Sequence, residues 1–576
     1  NTTGGNNCAF GRDALNENQT AGNNSAFGHN ALKANTTGTQ NVAVGGFALE
    51  NNTTGNYNTS MGFAALDANT TASNNTAFGY NALGDNTTGA NNTAVGFGAL
   101  DANTTGIGSV AVGDRALSAS STGNLNVAVG QYALNANTTA SSNTAVGYNS
   151  LGVNTTGSAN VAVGGVALDA NSTGGSNTAL GYNSLGANTT ASNNTAVGQA
   201  ALANNTTGAT NTAVGANSLV NNTTASDNVA VGNGAMIVNT TGTRNTAVGT
   251  NALDANTTAN DNTAIGFLAL TENTTGINNT AVGSNALDSN TTAGRNVAVG
   301  KSALTGNTTG PRNTAVGYQA LLSNTEGLYN TGIGDAALEA NTTGDFNTAI
   351  GQAALALNTT ANDNTAVGYR SADAITTGTR NTAVGEHSLS DATTATNSVC
   401  VGVDAGENIT TGNDNVMIGK SAGNTTTTGQ RNIVIGKDAV AANATVDDTI
   451  TLGTAGINTL RCQQTTITGL SDRRDKKDIE DLLIGLDFVN TLRPRKFTWA
   501  MREPCALDGR TETGFIAQEL QSAEGSMDYL HLVYDVNPEK LEAAPAKLIP
   551  ILVKAIQELS SKNTALEARV ATLEAA

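Results

Sequence analysis

The chain has 576 residues, of which only 12% are charged and 4% aromatic, and it carries a formal net charge of −18. The charge divides into −14 over residues 1–470 (13 basic, 27 acidic) and −4 over residues 471–576 (14 basic, 18 acidic). Nucleic acids and anionic membranes are bound through basic patches, so this composition argues against both as partners. No apolar run approaches 18 residues, so we expect no membrane insertion.

One phrase recurs with small changes from Asn1 to residue 437, as in NTAVGQAALANNTTGATNTAVG at residues 194–215. A glycine closes the phrase every 17 residues from Gly11 to Gly436, which gives 26 copies without an insertion. A unit this short cannot bury its apolar side chains alone, so successive units must stack. The repeat predicts a mainly β protein with a long parallel β-solenoid over residues 1–437.

Within one unit we expect two short extended segments separated by two turns, because Asn and Gly tolerate positive φ. In Asn211-Thr-Ala-Val-Gly215, alternation sends Ala213 and Val214 to opposite faces. We expect Val214 and its equivalents inside the coil and the alanines outside. A small apolar residue on the outer face favours close packing against other copies, and we predict a homotrimer. Near the end of the repeat the alanine slot is enlarged to Met417 and Val434.

The tripeptide Asn-Thr-Thr recurs in almost every unit and admits three interpretations. Its side chains can satisfy the turn backbones, it fits the acceptor pattern for N-glycosylation, and a ladder of threonines can form an ice-binding face. We favour the first interpretation. No aromatic platform for sugars stands out, so a receptor site is assigned to no residues.

The four cysteines and three histidines form no CxxC pair and no Cys/His cluster. Cys8 and Cys400 occupy slots that other units fill with Thr and Ala. We predict neither a disulfide framework nor a metal site, and no cofactor. Because Asn1 lies in the middle of a repeat and is not a methionine, we expect the chain to be part of a longer or processed protein.

The repeat gives way to a strand-rich connector over residues 438–470 and then to a second, α+β domain over 471–576. The domain ends in apolar residues at alternating spacings of three and four, an a/d heptad pattern that predicts a coiled coil over 549–574. A single amphipathic helix packed on its own domain is the alternative. The predicted coiled-coil core consists of Ile549, Leu552, Ile556, Leu559, Asn563, Leu566, Val570 and Leu573.

Two parts of the chain resemble known families. The NxxAxG pattern of residues 1–437 resembles the trimeric adhesin heads of the YadA and haemagglutinin type, although those heads mostly use shorter repeats. The motifs SDRRDK at 471–476, LRPRKFTW at 492–499, GFIAQEL at 514–520 and LIPILVKAIQEL at 548–559 resemble the endosialidase-type intramolecular chaperone of phage tail spikes and fibres. That resemblance implies a trimerising domain that helps a β-rich fibre to fold and is then released by autoproteolysis.

The same resemblance implies a catalytic Ser-Lys pair, with Ser471 as the nucleophile and Lys476 as the general base. A serine needs such a base, and burial or neighbouring cations prepare a lysine for that task. The residues alone also fit a solvated charge run, with Ser471 or Asp472 as the N-cap of a helix. Cleavage is expected between Leu470 and Ser471, with a cut on the other side of Ser471 as the alternative.

These features predict a trimeric fibre or tail-spike shaft in a virion or otherwise extracellular, serving attachment to a host-surface receptor, expected to be a glycan. Catalysis would be confined to a single self-cleavage per chain. Identical coils are prone to register slips, which a terminal trimerising domain prevents. The alternative is a bacterial adhesin or filament protein that uses the same chaperone. A glycan-degrading enzyme has little support, because no inserted domain or carboxylate pair is evident. Attachment to a virion or cell structure would lie N-terminal to Asn1.

Overall fold

The computed structural model describes residues 3–454, 471–500, 509–535 and 541–575. The chain divides into two compact units, Asn1–Ala361 and Asn362–Ala576. The first unit consists of repeat coils, and the second contains the last coils followed by the C-terminal α+β region. No helix among these residues has the length and apolar character needed to cross a membrane.

The repeat forms 27 three-residue strands, one in each coil. In the first unit they are β1 Cys8–Phe10, β2 Ser25–Phe27, β3 Val42–Val44, β4 Thr59–Met61, β5 Thr76–Phe78, β6 Thr93–Val95, β7 Val110–Val112, β8 Val127–Val129, β9 Thr144–Val146, β10 Val161–Val163, β11 Thr178–Leu180, β12 Thr195–Val197, β13 Thr212–Val214, β14 Val229–Val231, β15 Thr246–Val248, β16 Thr263–Ile265, β17 Thr280–Val282, β18 Val297–Val299, β19 Thr314–Val316, β20 Thr331–Ile333 and β21 Thr348–Ile350. In the second unit they are β22 Thr365–Val367, β23 Thr382–Val384, β24 Val399–Val401, β25 Val416–Ile418, β26 Ile433–Ile435 and β27 Ile450–Leu452.

Within each unit every strand pairs in parallel with the next, and each residue lies opposite the residue 17 positions later. The prediction of a mainly β, parallel β-solenoid is therefore confirmed. The solenoid contains one coil more than the 26 predicted copies. The additional strand, β27, lies inside the segment expected to be a connector and pairs with β26. Residues 455–470 of that segment lie outside the described residues.

The expectation of two extended segments in each coil is wrong. The Ala-Leu part of the unit is a turn, because Leu219 and its equivalents adopt a left-handed conformation with φ near +50°. A leucine is an unusual residue there, and it is held by burial and by a backbone hydrogen bond from the Leu219 N–H to the Ala235 carbonyl (3.0 Å). Each coil therefore has one strand, and hydrogen bonds between coils order the rest.

The predicted orientation of the strand is also wrong. The middle residue of the strand, such as Ala213, is buried, whereas the third residue, such as Val214, is partly exposed. The interior of each coil already holds Leu219 and its equivalents together with buried asparagines, so it leaves room only for a methyl group. The two side chains do point to opposite faces, as predicted, but the narrow coil directs alanine inward and valine outward.

Two of the last coils have a larger residue in the alanine slot and a glycine in the leucine slot on the other side of the interior. In one coil Cys400 replaces the usual alanine and Gly406 the usual leucine. In the next coil Met417 and Gly423 make the same two replacements. A Cβ added at Gly423 would lie 2.2 Å from the Met417 Sδ, and one at Gly406 would lie 2.6 Å from the Cys400 Sγ. The enlarged slot seen in the sequence therefore fills the space of the missing leucine.

The glycine that closes each repeat is required by both conformation and space. Gly215 has φ of +136°, and a Cβ added there would lie 2.4 Å from the carbonyl oxygen of Gly232 in the next coil. The same contact recurs from coil to coil, so the backbones stack as a ladder of glycines. Any side chain at this slot would push two coils apart.

The C-terminal region contains a small α+β fold. Its elements are α1 Leu486–Val489, β28 Arg495–Thr498, β29 Thr511–Gly514, α2 Ala517–Glu524, β30 Val533–Tyr534, β31 Glu542–Ala543 and α3 Ile549–Glu574, with 3-10 turns at Arg473–Asp475, Asp528–Leu530 and Pro545–Leu548. β28 and β29 form one antiparallel pair, and β30 and β31 form another. The core is made by Phe488, Leu520, Leu530, Leu532, Leu548 and Ile551.

Candidate functional site

The two residues expected to cleave the chain lie in contact at the start of the C-terminal region. The Lys476 Nζ donates a hydrogen bond to the Ser471 Oγ at 2.5 Å. A 3-10 turn over Arg473–Asp475 brings them together, because it folds the six-residue segment from Ser471 to Lys476 back on itself. Contact between a serine hydroxyl and a lysine amine is the arrangement that a Ser-Lys nucleophile needs.

The alternative role proposed for this segment is also present. Asp472 caps the turn by accepting a hydrogen bond from the Arg474 N–H at 2.8 Å, and its carboxylate also accepts from the Arg474 guanidinium. These hydrogen bonds lower the pKa of Asp472 below its usual value. Residues 471–480 are all exposed in the single chain. Capping and Ser-Lys contact therefore coexist, and Leu470, on the other side of the expected cleavage site, lies outside the described residues.

The two central motifs of the C-terminal region meet at Glu519, which forms ion pairs with Arg493 and Arg495. Arg495 on β28 forms two hydrogen bonds with Glu519 on α2, at 2.9 Å from Nε and 2.5 Å from Nη2. These hydrogen bonds lower the pKa of the Glu519 carboxyl. LRPRKFTW and GFIAQEL, which are separate in the sequence, are thus joined in the fold.

The heptad pattern of α3 faces away from its own domain. Ile551 and Ala555 are buried against the core, and Glu558 accepts a hydrogen bond from the Leu486 N–H at 2.8 Å. The predicted coiled-coil residues from Ile549 to Leu573 are exposed, including Ile556 at 66% and Leu566 at 64%. A helix packed only on its own domain does not explain this pattern, since the exposed seam and the buried contacts are different residues.

A second exposed apolar surface runs along the strands of the solenoid. The third residue of every strand from β1 to β27 is Val, Ile, Leu, Phe or Met, and none of them is fully buried. Parallel pairing places these residues in a row along the coils of each unit. We call this row the valine stripe. Contiguous exposed apolar surfaces of this kind mark interaction sites.

The Asn-Thr-Thr rows divide into an inner and an outer part. Asn205 is fully buried, and its Nδ2 donates to Asn188 Oδ1 (3.0 Å) and to the Gly208 carbonyl (2.9 Å). Thr206 donates to the Thr223 carbonyl at 3.0 Å, and Thr207 is exposed. The favoured interpretation, that these residues satisfy the turn backbones, agrees with these contacts. These contacts disfavour glycosylation of Asn205 and its equivalents in the folded coils, because their amides are buried and hydrogen-bonded. Ice binding by the outer threonines stays an untested alternative.

Sequence reasoning missed two clusters because their members are 17 residues apart. Phe63, Tyr80 and Phe97 stack with ring centroids 5.6 and 5.3 Å apart, so exposed aromatic residues do form a row. His387, treated as isolated in the sequence, lies beside Asp404 of the next coil and near Glu407, and the three offer ligand atoms within 4.8 Å of one another. Comparing the residues at one position of successive repeats would have revealed both clusters from the sequence.

Of the cysteines, Cys8 is exposed and Cys400 is buried, and both are free thiols. Burial raises the pKa of Cys400 to about 12. Cys400 takes the alanine slot, as the sequence suggested, and the structure places that slot in the interior. Cys462 and Cys505 lie outside the described residues.

Comparison with known proteins gives one match. The peptidase S74 family, described as chaperone of endosialidase, matches residues 471–528. Neither the curated proteins nor the solved structures contain a match to the chain. The matched segment includes the Ser471–Lys476 contact and both motifs joined by Arg495 and Glu519. The C-terminal region thus contains a chaperone-of-endosialidase domain that follows a β-solenoid, a combination that fits a fibre-like structural protein.

Proposed function

We propose that the protein is the shaft of a homotrimeric fibre, of the phage tail fibre or tail spike type, that reaches a receptor on a host surface. The observation that carries the proposal is the position of a chaperone-of-endosialidase domain directly after a long parallel solenoid. A virion or another extracellular structure is the corresponding location, with attachment through a part N-terminal to Asn1. The receptor is proposed to be a glycan.

Two exposed apolar surfaces support association of copies. The valine stripe replaces the alanine face that the sequence indicated, and valine and isoleucine bury more apolar area on contact than alanine does. The exposed seam of α3 offers a separate contact with heptad spacing, including Asn563, which favours a fixed register. The likeness of the coils to trimeric adhesin heads is part of this proposal.

We further propose that the chaperone domain is released by self-cleavage. Lys476 Nζ accepts the proton of the Ser471 hydroxyl, and Oγ attacks the carbonyl carbon of Leu470. The Leu470–Ser471 C–N bond breaks, the serine nitrogen takes up a proton, and an ester joins Leu470 to Oγ. Water then hydrolyses the ester, leaving a carboxylate at Leu470 and a free hydroxyl on Ser471.

Self-cleavage and association are linked in this proposal. A lysine acts as a base more readily when it is removed from water, and Lys476 is exposed in the single chain. Packing of copies over residues 471–480 would supply that burial. Cleavage would then follow assembly, so that the chaperone leaves only after the coils are in register.

The test is intact-mass spectrometry of freshly folded protein beside Ser471→Ala, Lys476→Ala and the matched control Lys477→Ala. The adjacent Lys477 has the same charge but no hydrogen bond to Ser471 among the described contacts. We expect two fragments meeting at Leu470–Ser471 in the wild type and the control, and full-length chain in the other two variants. Full-length chain in all four, from protein shown to be folded and trimeric, contradicts self-cleavage and leaves a permanent cap.

The second candidate function is a bacterial adhesin or filament protein that uses the same chaperone. The solenoid and the domain match favour it equally, because neither specifies what the fibre is attached to. Sequencing of the gene upstream of Asn1 separates the two. A virion-docking domain supports the phage fibre, and a secretion signal supports the cellular protein.

A further inference from the structure

We propose that His387, Asp404 and Glu407 form a binding site for a divalent transition-metal ion, with Zn²⁺ as the best-matched ion. One ligand atom from each residue lies within 4.8 Å of the others. The site joins two successive coils of the second unit, because Asp404 occupies the slot of His387 one repeat later.

The backbone fixes the three residues in place. The His387 N–H donates to the Tyr369 carbonyl at 3.0 Å, and the Asp404 N–H donates to the Glu386 carbonyl at 2.9 Å. Glu407 is held in the same turn as Asp404 by a hydrogen bond from its N–H to the Asp404 carbonyl at 3.4 Å. The ligand positions are therefore set by the stacking of the coils and not by a flexible loop.

The spacing of His387 and Asp404 fits a bridging ion better than a direct contact. His387 Nδ1 and Asp404 Oδ1 are 3.9 Å apart, which is too far for a hydrogen bond. Two ligands that bind one zinc ion at about 2.0–2.2 Å lie roughly 3–4 Å from each other. The two side chains are 33% and 29% exposed, so they are partly ordered by burial and still accessible from solvent.

The charges around the site also favour a cation. Within the described part of the chain, no lysine or arginine nitrogen pairs with Asp404 or Glu407, whereas Asp373 pairs with Arg370 and Asp448 with Arg431. Asp391 adds a further acidic residue nearby, since its N–H donates to the Glu407 carbonyl at 3.0 Å. The His387 ring packs at 5.4 Å from Tyr369, which restrains its orientation.

The ligand set selects the class of metal. Imidazole nitrogen favours zinc and its neighbours over calcium and magnesium, which prefer oxygen ligands alone. Three protein ligands leave at least one coordination position for water or another molecule. The site lies where the interior changes, because Glu407 directly follows Gly406, the first glycine in the leucine slot. A bound ion would clamp two coils together at that change.

Isothermal titration of the metal-free full-length protein with ZnCl₂ tests the site. We expect one strong site per chain, and a loss of affinity of at least about 100-fold in His387→Ala and in Asp404→Asn. His29→Ala is the matched control, because His29 occupies an exposed turn slot of another coil beside Phe47 and should bind zinc as the wild type does. Millimolar Ca²⁺ should not displace the zinc.

Hydrogen exchange separates this site from one on other residues, including the remaining cysteines. Zinc should slow exchange of the amides around residues 387–407 in the wild type and in His29→Ala, and not in His387→Ala. Circular dichroism should show the same folded spectrum for all four proteins without metal. Equal zinc affinity in His387→Ala and wild type, or no binding by the wild type up to about 100 µM, would overturn the proposal.

Discussion

The solenoid and the C-terminal region are ordered by different means. Each coil typically encloses one leucine with alanines and asparagines, and precise backbone stacking places Gly215 against Gly232 and Asn205 between Asn188 and Asn222. In the C-terminal region larger residues such as Phe488 and Ile551 form an ordinary apolar core. The coils should therefore be sensitive to small backbone and polar changes, and the C-terminal region to loss of side-chain volume.

The two regions have one feature in common. Each exposes an ordered apolar row, the valine stripe in the coils and the seam of α3 in the C-terminal region. In both cases a different set of residues already fills the chain's own interior. Mutations in the interior and on the surface of each region should therefore have separable effects.

Backbone stacking should be the most sensitive feature of the coils. Gly164→Ala places a Cβ 2.4 Å from the Gly181 carbonyl oxygen at φ of +138°, so we expect a loss of about 3–5 kcal/mol in the free energy of unfolding. Gly165→Ala is the matched control, since its Cβ meets only the Tyr182 ring at 3.5 Å. The control should change stability by less than about 1 kcal/mol. Denaturant unfolding measures both, and equal losses would contradict the glycine ladder.

The helix α3 should separate folding from association. Ile551→Ala removes a buried side chain and should destabilise the C-terminal region by about 3 kcal/mol. Ile556→Ala, on the exposed seam of the same helix, should leave the fold intact and lower association of copies, as measured by sedimentation at a series of concentrations. An unchanged sedimentation profile for Ile556→Ala combined with Leu559→Ala would argue against the seam as an interface.

Substitution of a buried asparagine of the inner ladder should cost more stability than substitution of its exposed neighbour. Asn205→Ala removes the donor to the buried Asn188 Oδ1 and one of the two acceptors of the Asn222 Nδ2, so we expect a loss of about 2 kcal/mol. Asn204→Ala removes an exposed amide whose hydrogen bond to Asn221 is open to water, and it should cost less than about 0.5 kcal/mol. Thermal unfolding of the two variants compares them directly. A larger loss in Asn204→Ala would sink the assignment of the inner ladder.

Acidic residues in the turns should give the smallest effect. Burial, followed by the neighbouring Asp85 charge, raises the pKa of Asp101 above 3.8 despite opposing backbone hydrogen bonds. A raised pKa in the folded state means that the contribution of this residue to stability grows as pH falls from 7 through that pKa.

The variant Asp101→Asn removes this dependence. It should be more stable than the wild type at pH 7 by less than about 1 kcal/mol, because the side chain is partly exposed and screened. Its advantage should shrink between pH 7 and pH 4, as measured by denaturant midpoints at each pH. Asp261→Asn should instead be less stable than the wild type at pH 7, since the hydrogen bond from Arg244 lowers the pKa of Asp261.

Residue spacing alone predicts the 17-residue coil, the ladder of closing glycines and the heptad pattern of α3, because each is a regular interval along the chain. It also placed Ser471 and Lys476 in one short segment, where a single turn brings them into contact.

Which side of the strand faces inward depends on the volume inside the folded coil. Alternation separates Ala213 from Val214, but the space left by Leu219 and the asparagines selects alanine for the interior. The tertiary structure also revealed that His387 meets Asp404, because residues 17 positions apart become neighbours only when the coils stack. Spacing is a property of the chain, whereas the volume inside a coil and the contacts across coils exist only after the chain has folded.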